Sequence, residues 1–348
     1  MTQDLLTLTA YFAERERTDG RFLAEAMLEL FGDRQITASV MQRGIASFGP
    51  TNVLRTDRSL SLSEDPPVTL TAVDTPERIT ALTGDVAAMT GRGLLTLVRG
   101  HRAPSAATGP NVESVRLSLY LGRRHRIEGA PGYLAVCDVL YRVGFAGAQV
   151  FLGVDGTAAG QRRRARFFSR NTEVPLLITG VGTAAQAAAA ATEIRGLLPE
   201  ALLTVEPVRV CKRDGVTLAD FHLPETSESD ARFQRLTVHT AENSLHDGRA
   251  IHRALIQGLK NSPDASGATV LRGIWGFHGE HRPHGDRFLQ LARQVPVSTV
   301  IIDTPERIAA SYPIIDELTE HIGLVTSEVV PAMLAVHSGQ SLGSLLLA

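Results

Sequence analysis

At 348 residues, with 43% hydrophobic and 21% charged side chains, the chain has ordinary globular composition and room for two or three domains. Thirty-five Lys and Arg against 37 Asp and Glu leave a net charge of -2, which excludes a global field drawing the protein to nucleic acid or an anionic membrane. The two cysteines, Cys137 and Cys211, form no CxxC pair, so neither a disulfide framework nor a thiolate metal cluster is expected.

Met1-Thr2-Gln3-Asp4 leads directly into an alternating pattern, with no basic stretch followed by an apolar one and no apolar run of membrane-spanning length. This predicts a soluble, cytoplasmic protein that is not membrane-embedded. Leu6, Leu8, Ala10 and Phe12 alternate with Thr7, Thr9 and Tyr11, the period of a half-buried strand. Asp19-Gly20-Arg21 then reads as the opening of a helix whose apolar positions Phe22, Leu23, Ala26, Met27 and Leu30 recur at three and four. A second strand ends at Arg43-Gly44, and the stretch from Ala46 to about Ser59 has little apolar periodicity and reads as a long polar loop. Val68 to Val73 gives a third strand, and Thr75-Pro76-Glu77 starts a second helix with Thr as N-cap and Pro at the first helical position. Ile79, Leu82, Val86 and Met89 mark its buried stripe, and Gly93 to Val98 supplies a last strand.

The same order returns. Arg43-Gly44-Ile45-Ala46-Ser47-Phe48 is matched by Arg272-Gly273-Ile274-Trp275-Gly276-Phe277, and Asp74-Thr75-Pro76-Glu77-Arg78-Ile79 is repeated unchanged as Asp303-Thr304-Pro305-Glu306-Arg307-Ile308. Two motifs holding one spacing across unrelated residues mean that a whole folding unit was duplicated. A more diverged copy lies between them, with Gly129, Gly153 and Pro175 in the places of Gly20, Gly44 and Pro67. The boundaries fall in the polar stretches from His101 to Asn111 and from Gly215 to Asp230, giving modules over 1–103, 104–213 and 214–348. Each reads β-α-β-β-α-β, the split βαβ or ferredoxin-like plan of an α+β protein, whose uncovered sheet face needs a partner.

The Arg-Gly-Ile-x-x-Phe motif, the segment Leu62-Ser63-Glu64-Asp65-Pro66-Pro67-Val68, the Gly20-centred helix start and Gly91-Arg92-Gly93-Leu94-Leu95-Thr96-Leu97 together resemble the family called domain of unknown function 190, a branch of the PII-like signalling proteins. The resemblance covers most of the chain three times over and is plainest in the first module. It implies three ferredoxin-like modules arranged as a PII-like pseudo-trimer. It also implies a small effector, an adenine nucleotide, in clefts between modules, and signalling through the loop after strand two to a protein or transporter partner. Such proteins are regulators rather than enzymes, and no cofactor is expected.

Arg43 and Arg272 are the candidate anion contacts, with Gly44 and Gly273 letting backbone N–H groups approach, because a guanidinium binds an oxyanion with a planar fork. Leu152-Gly153 keeps the turn in the second module and loses the cation. Arg92 and Gly93 resemble the position where PII-like proteins set a basic residue near phosphate, although a C-cap glycine explains Gly93 by itself. His278, His281 and His284 have a spacing open to one metal, but no Cys or paired carboxylate completes a set, so the expectation is a solvated loop and no metal. Arg162-Arg163-Arg164 reads as a solvated charge run. The Asp-Thr-Pro-Glu-Arg-Ile pair is assigned to helix capping by Thr75 and Thr304. No Walker loop or nucleophile elbow is present. Two alternatives remain: an α+β-barrel enzyme, which needs titratable groups converging on the sheet face, and a metal-binding trimer-like protein using the histidine loop.

Overall fold

The computed structural model describes residues 3–56, 65–103, 114–163, 174–223, 233–279, 282–285 and 295–347. Among these it is an α+β protein with six helices and antiparallel strand pairing, in which one arrangement occurs three times. The first repeat runs β1 (Asp4–Ala13), α1 (Leu23–Asp33), β2 (Ala38–Arg43), β3 (Ala46–Phe48), β4 (Pro67–Asp74), α2 (Pro76–Met89) and β5 (Gly93–Arg102). The second runs β6 (Ser114–Gly122), α3 (Gly132–Val143), β7 (Gly147–Leu152), β8 (Asp155–Ala158), β9 (Pro175–Thr183), α4 (Ala184–Leu197) and β10 (Leu202–Arg213). The third runs β11 (Phe233–Ala241), α5 (Ile251–Asn261), β12 (Ala268–Arg272), β13 (Trp275–His278), β14 (Pro296–Asp303), α6 (Pro305–Leu318) and β15 (Leu324–Val330), followed by the hairpin β16 (Ala332–His337) and β17 (Gln340–Ser344).

Within each repeat the strands lie in one order: β2-β4-β1-β5, β7-β9-β6-β10 and β12-β14-β11-β15. The period of two decides what each face meets. Leu6, Leu8 and Ala10 point at the helices and pack with Met27 and Phe31 of α1 and Ile79, Leu82 and Val86 of α2. Burying a side chain of this size contributes roughly 1.5–3 kcal/mol over leaving it exposed. The second and third repeats build equivalent cores. Thr7 and Thr9 point the other way, yet they too are buried, because the three sheets cover one another.

Three sequence expectations change in detail. Asp19-Gly20 does not open the helix: φ of +48° and +78° make it the tip of a two-residue hairpin between Arg17–Thr18 and Arg21–Phe22, and α1 starts three residues later. Thr304 accepts from the Arg307 N–H as expected, but the Thr75 side chain makes no capping bond. The buried Asp74 carboxylate instead accepts from the Thr75 N–H and from the N–H and hydroxyl of Thr37, tying the start of α2 to the start of β2. Finally, the polar loop after strand two begins with a strand in every repeat. Three or four residues carry too little periodicity to be read, and their partners are distant in sequence.

Those short strands leave their own repeat. β3 pairs with β12, β8 with β2, and β13 with β7, so each repeat lends a strand to the sheet of another and the exchange closes on itself. Their side chains enter the borrowed cores: Phe48 lies in the third repeat's core and Phe277, 1% exposed, in the second's, edge-on to Tyr141 with ring centroids 5.3 Å apart. The ends of the fourth strands close a second circuit, β5 with β10, β10 with β15 and β16 with β5.

Candidate functional site

At the end of β2, Arg43 donates through Nε to Glu14 Oε1 at 2.7 Å and also pairs with that carboxylate through Nη2. Arg272 at the end of β12 repeats the arrangement, its Nη1 3.3 Å from Glu242 Oε1. The Arg43 side chain is 56% exposed and that of Arg272 31%. The second repeat inverts the pattern. Leu152 replaces the arginine, and Arg123, whose N–H bonds to Val174 as those of Glu14 and Glu242 bond to Pro66 and Val295, replaces the acid. The junction thus keeps one positive charge, moved from the end of β7 to the end of β6, with β9 between them.

The glycine beside each arginine is fixed by a close approach. A Cβ on Gly44 would lie 2.8 Å from the Val270 carbonyl of the third repeat and 2.8 Å from Pro67, and Gly273 is held in the same way by Val150 and Pro296. The Gly44 and Gly273 N–H groups bond to the Pro67 and Pro296 carbonyls, while Ile45 and Ile274 bond across to Val270 and Val150. The glycine donors therefore close the ends of their own sheets, and the isoleucine donors serve strand exchange. Arg92 is exposed in the turn before β5, and Gly93 begins that strand against the Tyr11 carbonyl. His278 ends β13, and His284 places Nδ1 2.8 Å from the Arg282 carbonyl; His281 lies outside the described residues. Among the described residues no three side chains of metal-binding type come together.

Where the three sheets face one another, a cavity of about 110 Å³ is lined by successive levels of strand-one side chains: Thr7, Arg116 and Arg235, then Thr9, Ser118 and Thr237, then Tyr11, Tyr120 and His239. The first level is charged. Arg116 pairs with Glu206 and donates to Glu328 at 2.5 Å, and Arg235 donates to the other Glu328 oxygen at 2.5 Å and lies 3.8 Å from Glu206. Thr7 donates its hydroxyl to Glu206 at 2.9 Å. Both glutamates are directly opposite an arginine in the strand register, Glu206 across from Arg116 and Glu328 across from Arg235, whereas the first repeat has Val98 across from Thr7. Burial alone would raise the Glu328 carboxyl, but Arg116 and Arg235 outweigh it and hold it below the usual range. Burial pushes the Tyr11 and Tyr120 phenols up. His239 Nδ1 lies 3.1 Å from Gln149 Nε2 and 3.0 Å from Ser298 Oγ, and Ser298 donates to Gln149 Oε1 at 2.5 Å, so the three side chains form one buried polar chain.

The family model described as DUF190, Uncharacterized ACR, matches residues 5–101, 114–210 and 233–332. The chain belongs to the DUF190 family. Its three copies coincide with the three structural repeats. A solved structure titled as an unknown protein from Galdieria sulphuraria is 12% identical over 60% of this chain and 99% of that one, at a TM-score of 0.19, a likeness too slight to carry an argument. In this DUF190 protein no helix among the described residues is long and apolar enough to cross a membrane.

The arginine-glycine junctions are legible in the sequence and the charged cluster is not. Arg116 and Arg235 were visible in the polar phase of strand one, at the position of Thr7, but a charge in that phase ordinarily faces water. Only the closure of sheet on sheet buries it. Glu14 and Glu242 carry a weaker signal, since their separation falls one residue short of the offset that relates the arginines they pair with.

Proposed function

We propose that this DUF190 protein is a PII-like regulator: three ferredoxin-like repeats forming a pseudo-trimer within one chain, which binds a small anionic effector, an adenine nucleotide, at junctions between repeats. The observation carrying this reading is the placement of Arg43 and Arg272. Each is a partly exposed cation at the residue where the chain leaves one sheet and enters the next. A phosphate drawn to either guanidinium competes with Glu14 or Glu242, so effector binding rearranges an ion pair at the root of the exchanged strand. The loop beyond that strand carries the change to a protein partner. The reading is of a regulator and not a catalyst, and it holds the protein to be cytoplasmic.

Calorimetry with AMP, ADP, ATP and cyclic nucleotides tests it. The expected result is at most two comparable sites, with Arg43→Ala and Arg272→Ala each weakening one by on the order of tenfold, the size of one lost charge-assisted hydrogen bond at about 1.5 kcal/mol, and Leu152→Ala affecting neither. Absence of binding heat with every nucleotide sinks the effector assignment. Loss of the tightest site in Arg123→Ala, with Arg43→Ala unchanged, transfers anion recognition to the second junction.

A further inference from the structure

The cavity between the sheets has two hydrogen-bond donors on its wall with no acceptor among the described residues, Gln42 Nε2 and Arg235 Nε. Both side chains are deeply buried, at 4% and 6% exposure. Native proteins keep such donors where something accepts from them. Gln42 is informative because the fold does not require it: the equivalent positions are Phe151 and Leu271, which line the same space. Thr9, Thr71, Ser118, Thr179 and Thr237 add hydroxyls that can donate or accept.

The charges restrict what the site takes. Arg116 and Arg235 already balance Glu206 and Glu328, so a charged guest would leave a net charge in a buried space. On the scale where a cavity of about 150 Å³ holds benzene, a cavity of about 110 Å³ holds about four or five non-hydrogen atoms. We infer that the space between the sheets is a binding site for a small uncharged molecule bearing an acceptor oxygen, of the amide or urea type, received by Gln42 and Arg235. A guest of that size binds with a Kd on the order of 0.1 mM or weaker. The site is separate from the junctions proposed for the anionic effector.

Acetamide and acetate have one shape and differ in charge, which makes them the test pair. Thermal unfolding of the full chain is followed with increasing acetamide or sodium acetate at constant ionic strength, for the unaltered protein and for Gln42→Leu, which installs the residue type of the third repeat. A crystal soaked in acetamide is examined in parallel. The inference expects a saturable rise in Tm with acetamide alone, at least tenfold weaker affinity in Gln42→Leu, and density for a planar four-atom molecule within hydrogen-bond reach of Gln42 Nε2 or Arg235 Nε. Equal responses of both proteins, an equal response to acetate, or a cavity filled by water alone overturns it.

Discussion

His239 is the residue through which the buried polar cluster becomes measurable. Burial, reinforced by Arg116, pushes its imidazole down to about 4 from an ordinary value of 6.5, against a smaller opposing pull from Glu328. The folded value is the lower one, so the unfolded chain takes up the proton first as pH falls. The contribution to stability is whole above about pH 6.5, shrinks as pH falls, and is lost by about pH 4, amounting to about 3 kcal/mol. Urea unfolding between pH 7 and pH 4.5 is expected to show this decline, and His239→Gln to flatten it; an unchanged slope would remove the assignment. Glu328 acts lower on the scale, since a depressed carboxylate loses its contribution only as pH falls through its lowered value.

The exchanged strands are the elements that join the repeats, and their aromatic anchors set the strength of the join. Phe277 is 1% exposed in the core of the second repeat although it belongs to the third. Truncating it leaves a cavity against Tyr141, so Phe277→Ala is expected to destabilise the whole chain by about 3–5 kcal/mol in denaturant unfolding. A loss under 1 kcal/mol would mean that the strand is not held by its side chain. The order of the longer elements was legible because Leu6, Leu8 and Ala10, or Ile79, Leu82 and Val86, repeat with the period of the structure they form. β3 and β13 were not, since a strand of three or four residues is defined by a partner that local pattern does not name. The Arg-Gly-Ile-x-x-Phe motif reads as a candidate anion site; its Gly, Ile and Phe also serve strand exchange, which the one-dimensional pattern does not distinguish from ligand contact.

For the whole molecule, shared cores couple the repeats. If each repeat holds a strand of another, unfolding one removes part of its neighbour's core, and the three are expected to melt in a single calorimetric transition. Because all three share one chain, the Tm is expected not to change on dilution; separate transitions, or a concentration-dependent Tm, would show independent units or association between chains. One asymmetry follows from covalent order. Peptide links join the first repeat to the second and the second to the third, while the third meets the first by contact alone. At that seam β16 pairs with β5 over five residues and folds back as a hairpin with β17, whereas the corresponding junction of β5 with β10 has two paired residues. The C-terminal hairpin is thus a clasp on a bracelet: it supplies by hydrogen bonds the fastening that the backbone supplies elsewhere, and it marks where the ring would come undone first.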